Sequence, residues 1–243
     1  MSAIFSGYRN LEELIAFFPI DNAAGEVTPN LDVAPAQEIW AIIQDGAENR
    51  LDKFHWGLVP FWAKDVSIGN RMINARAETI AEKQCFREAF KSRRCLIPAD
   101  GFYEWKTKKG MKQPVFITLP DRKPFAFAGL WETWQKTDDT DSLYKSCTII
   151  TTRASESFSS IHHRMPVILK PQVYDKWLDP GYQNAVELVE LLQNDIITEL
   201  ESFALEKQTG SAHHIDPSRT EAVGKAQQTT FDWPELRETS REE

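Results

Sequence analysis

Short apolar runs separated by polar positions recur along the chain, a pattern typical of β-strands. The run IWAII at 39–43 predicts a buried strand over 38–44. Shorter strand-like runs follow at 94–97, 102–106, 115–119, 125–130, 147–152 and 167–169. Together these runs predict a fold in which strands build the core.

Helical periodicity is limited to a few segments. Asn10, followed three residues later by a glutamate, forms a capping-box pattern that predicts a helix over 11–18. Apolar residues at helical spacing predict an amphipathic helix over 81–92. Further helices are predicted over 172–178 and 184–205.

No repeat or linker composition divides the chain. At 243 residues with 42% hydrophobic content it can bury one large core. We therefore predict a single α+β domain over 1–210, dominated by strands. Residues 211–243 are polar and acidic with few apolar side chains, which predicts a loosely attached tail.

The net charge of −8 comes from the C-terminal part of the chain. Residues 181–243 hold 13 acidic and 5 basic side chains, whereas 64–112 hold 12 basic and 6 acidic ones. A locally basic stretch suits a polyanion such as DNA despite the acidic total. The alternative is a solvated, lysine-rich surface without a binding role.

Several classes of protein are disfavoured. No segment approaches the ~20 consecutive apolar residues of a membrane span, and the chain does not begin with a secretory-signal pattern. The three cysteines lack metal-ligand spacing, and the pair His213 and His214 has no cysteine partner nearby. We expect a cytoplasmic protein without a metal or cofactor.

Three polar residues stand where packing alone would favour apolar ones: Asn74, Glu104 and His162. An amide, a carboxylate and an imidazole can position, protonate and deprotonate a carbonyl-type substrate. Each residue also has a purely structural alternative. Asn74 could cap a helix, Glu104 could point to solvent from an edge strand, and His162 could stabilise a turn, with His163 as a competitor for its role.

The chain resembles the SRAP family, the SOS-response-associated proteins that process abasic sites in single-stranded DNA. The resemblance covers roughly residues 1–180 and rests on six motifs in the family's order. They are LDVAP at 31–35, WGLVPFWAKD at 56–65, NARAET at 74–79, RRCLIPADGFYEW at 93–105, TIITT at 148–152 and IHHRMP at 161–166.

The resemblance implies a single α+β domain with a barrel-like, mostly antiparallel β core, peripheral helices and a basic groove for single-stranded DNA. In the family the initiator methionine is removed, and the exposed N-terminal cysteine condenses with the sugar aldehyde of an abasic site to form a thiazolidine. The implied partner is single-stranded DNA with an abasic site, bound by a monomer that uses no cofactor.

Matched by motif, Asn74 would orient the N-terminal residue and the sugar. Glu104 would transfer protons during methionine removal and ring opening. His162 would protonate or deprotonate the sugar hydroxyl and the leaving adduct. Six further positions are implied to bind DNA: Pro35, Trp62, Lys64, Arg76, Trp105 and Arg164. The arginines would bind phosphates, and the tryptophans with the proline would stack on bases, a sequence-tolerant mode of binding.

The chain departs from the family at its start. The family begins Met-Cys-Gly-Arg-Phe, whereas this chain begins with Met1, Ser2, Ala3, Ile4 and Phe5. A serine hydroxyl is a far poorer nucleophile than a thiol, so Ser2 cannot form a thiazolidine. Ile4 also replaces an arginine that in the family contacts phosphate.

Three functions stay open. The first is abasic-site processing through the amine of Ser2, and the second is non-covalent binding of single-stranded DNA without the covalent chemistry. The third is a hydrolase built from Cys95, His162 and Asn74. Cys95 lies in an apolar run, which favours an inert buried thiol over a nucleophile.

Overall fold

Strands make up most of the regular structure in the residues that the computed structural model describes, which are 4–108, 111–135 and 143–205. Numbered in chain order, the strands are β1 (Phe5–Gly7), β2 (Asn22–Ala23), β3 (Asn30–Val33), β4 (Glu38–Asp45), β5 (Glu48–Trp56), β6 (Asn74–Arg76), β7 (Arg94–Ala99), β8 (Gly101–Lys108), β9 (Met111–Thr118), β10 (Phe125–Trp134), β11 (Tyr144–Arg153), β12 (Arg164–Pro166), β13 (Ile168–Leu169) and β14 (Glu201–Ala204). The α-helices are α1 (Leu11–Ile15), α2 (Arg87–Ser92), α3 (Tyr174–Leu178) and α4 (Ala185–Asn194). Short 3₁₀ helices cover Val66–Arg71, Ala77–Thr79 and Pro171–Val173.

The strands form two sheets. The smaller sheet has the order β14-β9-β8-β1-β3, and the larger has the order β12-β11-β10-β7-β4-β5-β2. In the larger sheet β6 and β13 pair with β11 and β10, respectively. A further parallel pairing of β11 with β5, at Ser146 opposite His55, closes five strands into a ring.

In the larger sheet β7 and most of β10 are buried on both faces, which explains their nearly continuous apolar runs. In β4, Ile42 packs toward the side that carries the helices, while Ile39, Ala41 and Ile43 pack against the smaller sheet. In β10, Ala126, Ala128 and Leu130 belong to the first core cluster, and Phe125 and Phe127 belong to the second. Because side chains alternate between the two faces of a strand, each of these strands contributes to both core clusters.

The predicted class, an α+β domain rich in mostly antiparallel strands with few helices, is confirmed. The predicted strands are present, each with somewhat different ends. No helix in the described part of the chain is both long and apolar enough to cross a membrane. The predicted domain end at 210 and the tail over 211–243 lie outside the described residues.

The capping box at Asn10 is confirmed, because the Asn10 side chain accepts from the Glu13 N–H and the Glu13 side chain accepts from the Asn10 N–H. The α-helix itself ends at Ile15 and continues as turns. The helix predicted over 81–92 is only half right. Hydrogen-bonded turns replace its first half, and α2 begins at Arg87 without a side-chain cap.

The helix predicted over 184–205 is correct only in its first half. Asn184 caps α4, which ends at Asn194. The last residues form β14, which pairs with β9 from Glu201 opposite Thr118 to Ala204 opposite Val115. An exposed edge strand presents unpaired backbone groups, and β14 covers that edge of the smaller sheet. Helical periodicity could not reveal this long-range pairing.

Candidate nucleic-acid processing site

Asn74 lies in strand β6, so the helix-cap alternative is wrong. Strand β6 runs parallel to β11, with Asn74 opposite Ile149. The 3₁₀ helix that follows has Arg76 at its cap position, with no side-chain capping bond. The half-buried Asn74 lines a small pocket together with Ile4, Phe102 and other mostly apolar residues.

The first described residues of the chain enter the same pocket. The carbonyl of Ile4 accepts a hydrogen bond from the Tyr103 N–H at 3.0 Å. Phe5 pairs with Phe102, which places β1 antiparallel to β8. Both Ile4 and Phe5 line the pocket of Asn74. The described part of the chain therefore begins at the pocket of Asn74, and Ser2 lies outside the described residues.

Glu104 is only 2% exposed, so the solvent-facing alternative is wrong. In β8 it shares a face with Phe102 and Lys106. The Phe102 ring lies 6.0 Å from the Phe158 ring, and the Lys106 Nζ lies 3.4 Å from the Ser160 Oγ. Because both neighbours face the segment that leads to residue 162, the Glu104 side chain faces that segment too.

His162 ends this segment and is half-buried. Its Nδ1 lies 3.0 Å from both the backbone nitrogen and the carbonyl oxygen of Arg164, and its ring stacks on His163 with the ring centroids 4.3 Å apart. Burial lowers the pKa of His162, which favours the neutral ring at pH 7. In the neutral ring, a protonated Nδ1 would donate to the Arg164 carbonyl, and an unprotonated Nδ1 would accept from the Arg164 N–H.

Arg164 is engaged within the protein. Its Nη1 and Nη2 each donate to a different oxygen of Glu78 at 2.9 Å. Nη2 also donates to the Thr151 carbonyl at 2.7 Å. Two of the five guanidinium N–H groups thus serve Glu78 and another serves Thr151. This partnership was missed in the sequence, where Glu78 belongs to the NARAET motif but carries no sign of its partner.

Pro35 belongs to a turn that is held against the end of β5. Ala36 has a φ of 64°, and its N–H donates to the Trp56 carbonyl at 3.0 Å. The Trp56 indole in turn donates to the carbonyl of Ile73 at 2.8 Å. Trp56 therefore joins the Pro35 turn to the residue that precedes Asn74.

Trp62 lies in the loop after β5 and is 42% exposed. The loop closes because Gly57 and Gly69 approach each other closely; a Cβ on Gly57 would lie 2.7 Å from the Gly69 carbonyl oxygen. Gly57 also has a φ of 144°, which strongly favours glycine. The Trp134 indole anchors the loop by donating to the Ala63 carbonyl at 2.7 Å.

Trp105 does not share the face of Glu104. It is half-buried and follows Glu104 in β8, so it faces the other way together with Tyr103, whose ring lies 5.1 Å from Phe116. Trp105 and Glu104 therefore lie on opposite faces of β8.

The basic stretch over 64–112 does not form a single surface. Lys64 and Arg76 are exposed, and no described residue forms an ion pair with either. In contrast, Arg93 pairs with the buried Glu132, and Arg94 is 1% exposed. Only part of the local positive charge can therefore meet a polyanion.

Cys95 is fully buried, as its apolar surroundings predict. Burial, with a smaller contribution from Cys147, raises the pKa of its thiol well above the ordinary value. A protonated thiol without solvent access is not a nucleophile. The hydrolase alternative therefore lacks its reactive group. In the described part of the chain, no group of three or more histidines, cysteines or carboxylates could hold a metal ion.

The fold and the motif residues define a family. The family model described as "SOS response associated peptidase (SRAP)" matches residues 1–212, and the chain belongs to this family. Two similar curated relatives come from Bacillus subtilis (strain 168). "Abasic site processing protein YoqW" is 43% identical over 225 residues, covering 91% of this chain and 100% of that protein. "Abasic site processing protein YoaM" is 45% identical over 214 residues, covering 87% and 93%.

A more distant relative and a solved structure agree with this assignment. "Abasic site processing protein HMCES" of Gallus gallus is 36% identical over 158 residues, covering 56% of this chain and 47% of that protein. A crystal structure of a protein from Bacteroides thetaiotaomicron matches with a TM-score of 0.71 and 25% identity, covering 84% of this chain and 92% of that one. The overall fold is therefore shared with experimentally solved proteins.

Proposed function

We propose that this protein processes abasic sites in single-stranded DNA through its N-terminal residue. The observation that carries the proposal is the buried carboxylate of Glu104, on the face of β8 that is turned toward the segment ending at His162. Membership of the SRAP family and the names of the Bacillus relatives support it independently.

The proposed reaction begins with removal of Met1, which frees the α-amine of Ser2. With a reference pKa of about 8, this amine keeps a neutral fraction at pH 7. It attacks the ring-opened sugar aldehyde and forms a carbon–nitrogen bond. The carbonyl oxygen takes up protons and leaves as water, which yields an imine. Glu104 supplies and accepts protons in these steps.

Asn74 and His162 complete the proposed chemistry. The Asn74 amide orients the amine and the sugar, which is consistent with its position in the pocket that Ile4 enters. A neutral His162 exchanges a proton with the sugar hydroxyl. The lowered pKa of His162 favours this neutral form.

DNA binding is assigned to side chains around this site. Arg76 and Lys64 are exposed cations that bind phosphates, and Trp62 is an exposed ring on which a base stacks. We assign Pro35 and Trp105 to the groove wall. Arg164 contacts phosphate only through N–H groups that Glu78 and Thr151 leave available.

Ser2 limits the outcome of the reaction. A thiol would close the imine into a stable thiazolidine, whereas a hydroxyl offers only a less stable oxazolidine. We therefore expect a reversible imine, which is trapped by borohydride and otherwise permits slow strand cleavage by β-elimination.

The test is incubation of the protein with a single-stranded oligonucleotide that carries one abasic site, followed by a denaturing gel. We expect no heat-stable adduct without reductant, an adduct with borohydride, and a stable adduct without reductant from the variant Ser2→Cys. An oligonucleotide with an intact base at that position is the matched control. A folded, DNA-binding Ser2→Cys protein that forms no adduct would contradict the proposal.

The presence of serine at position 2 also favours a second candidate, a non-covalent binder of single-stranded DNA. In that case the protein would bind single strands better than duplexes, and neither borohydride nor Ser2→Cys would yield an adduct. The same gel separates the two candidates.

A further inference from the structure

We propose that Arg153 binds a phosphate of single-stranded DNA, and that this phosphate is a different one from that bound by Arg76. Arg153 is the third member of an arginine cluster, with Arg76 in β6 and Arg164 at the start of β12. Arg153 itself ends β11. The proposal rests on the function proposed above, because the phosphate belongs to the strand that carries the abasic site.

Strand pairing brings the three arginines to one face of the sheet. Arg153 is directly opposite Arg164 in the antiparallel pairing of β11 with β12. Arg76 is opposite Thr151 in the parallel pairing of β6 with β11. Thr151 shares a face with Arg153, which lies two residues, or about 7 Å, further along β11. The Thr151 Oγ1 lies 3.2 Å from Nη2 of Arg164, so these two side chains also face the same side.

Only one carboxylate balances these charges. Glu78 accepts from Nη1 and Nη2 of Arg164 at 2.9 Å, with a separate oxygen for each nitrogen. Burial raises the pKa of Glu78, but hydrogen bonding to Arg164 and the charges of Arg164 and Arg153 bring it below its ordinary value. Arg153 and Arg76 are both exposed, and neither forms an ion pair within the described ranges. The cluster therefore carries an excess of positive charge.

This excess of positive charge favours an anionic ligand. Like charges directly opposite each other on neighbouring strands repel and destabilise the pair, and Glu78 offsets the charge of Arg164 alone. An anion bound at Arg153 would relieve the repulsion that remains. A guanidinium also matches the geometry of a phosphate, because two of its N–H groups can donate to two oxygens at once.

Arg153 lies close to the histidines of the candidate site. Arg164, its partner across the strands, follows His162 by two residues. Ala154, the residue after Arg153, donates its N–H to the His163 carbonyl at 3.1 Å. A phosphate bound at Arg153 would therefore belong to a nucleotide near the sugar on which His162 is proposed to act.

The test measures binding of the full chain to a single-stranded oligonucleotide without an abasic site, by fluorescence anisotropy at several salt concentrations. Arg153→Gln should weaken binding on the order of fivefold and reduce the salt slope by about 0.7 to 1, as expected for one lost phosphate contact. Arg153→Lys keeps a positive charge and should retain most of the slope. Arg87→Gln changes an exposed arginine on α2, and this matched control should bind like the parent.

A double variant shows whether Arg76 and Arg153 bind separate phosphates. The reductions in salt slope caused by Arg76→Ala and Arg153→Gln should add, because separate contacts release separate counterions. A double variant with the slope of Arg76→Ala alone would assign both arginines to one phosphate and overturn the proposal.

Urea denaturation distinguishes a binding role of Arg153 from a structural one. Without DNA, the midpoint for Arg153→Gln should equal that of the parent or rise slightly at low salt, because repulsion within the cluster is relieved and salt screens that repulsion. A lower midpoint would indicate a structural role and overturn the proposal. Parent-like DNA binding with a parent-like salt slope in Arg153→Gln would overturn it as well.

The intact oligonucleotide keeps this test separate from the covalent chemistry. Weaker binding by Arg153→Gln supports the phosphate contact even if no protein forms an adduct with abasic DNA, and in that case only the proposed reaction fails. If Arg153→Gln binds like the parent and the parent forms a borohydride-trapped adduct, the proposed reaction stands and the role of Arg153 is wrong.

Discussion

Arg94 and Arg164 are two partly or fully buried arginines whose surroundings differ in kind. Arg94, on the side of the molecule that carries the helices, donates to five backbone carbonyls, those of Phe90, Lys91, Trp177, Asp179 and Tyr182. Arg164, at the candidate site, donates to a carboxylate and to Thr151. Arg94 thus supplies donors to the carbonyls at the ends of two helices. Arg164, in contrast, lies next to an ionisable side chain, Glu78, and close to His162.

This difference separates stability from chemistry. Four of the carbonyls around Arg94 belong to the ends of α2 and α3, where helices leave carbonyl groups without partners, and the fifth, of Tyr182, follows α3. Burial lowers the pKa of Arg94 to about 10, so it remains charged at neutral pH. The pair of Arg164 and Glu78 instead lies beside the residues of the candidate site, since Glu78 follows β6, which carries Asn74, and Arg164 follows His162 by two residues. Four experiments test whether the two regions divide in this way.

The largest effect is expected from Arg94→Met. The substitution leaves several buried carbonyls without donors, each at a cost of about 1–3 kcal/mol, so the free energy of unfolding should fall by at least about 3 kcal/mol. Urea denaturation measures this change. The fraction that stays folded should bind single-stranded DNA like the parent, and a specific loss of DNA affinity in that fraction would contradict the division.

Glu104→Gln should have the opposite effect to Arg94→Met, because it should slow the reaction and leave DNA binding intact. The amide keeps the size of the side chain but cannot exchange protons in the same way, so the rate of adduct trapping by borohydride should fall on the order of 100-fold. Single-stranded DNA should still bind. The measurement is a time course on denaturing gels under single-turnover conditions. A parent-like rate would remove Glu104 from the mechanism.

Arg76→Ala should weaken DNA binding by about 1 kcal/mol and reduce the salt slope of the binding constant by about 1, because one phosphate contact is lost. Fluorescence anisotropy at several salt concentrations measures both values. The matched control is Lys176→Ala on α3, a cation on the helix side that pairs with Glu187. Equal effects of the two substitutions would show that DNA binds no more strongly to the candidate site than to the helix side, which would contradict the prediction.

The smallest effect is expected in the pH dependence of adduct formation. Because burial lowers the pKa of His162, its neutral form persists below the ordinary value of about 6.5, and the rate should fall only below that pH. The α-amine of Ser2 should add a second rise near its reference pKa of about 8. His162→Gln should lose the acidic limb and keep the other, and an unchanged profile would contradict the role of His162.

Much of the fold was predictable because its signals are local. The capping box at Asn10 depends on residues three apart, and the strand of 38–44 depends on one apolar run. The face shared by Phe102 and Glu104 follows from the alternation of a strand. Where predictions were wrong, as in 81–86 and 195–205, the segment adopts turns or pairs with a distant strand instead of continuing a helix.

The candidate site depended more on the fold. Motif order placed Asn74, Glu104 and His162 in one family context, but their burial and partners are properties of the tertiary structure. The alternative for Asn74 was a helix cap, which local pattern favoured and pairing with β11 excluded. The burial of Glu104 likewise depends on how β8 packs against the segment before His162.

By itself, the sequence determined the class of the fold, most of its strands, the family motifs and the serine at position 2, because these are read from neighbouring residues or from their order. Only the tertiary structure decided that five strands close into a ring and that Glu78 meets Arg164. Both depend on contacts between residues far apart in the chain. Such contacts form because the folded chain must bury both faces of a sheet and also give its buried polar groups hydrogen-bond partners. No local sequence pattern specifies which distant residues meet these two requirements.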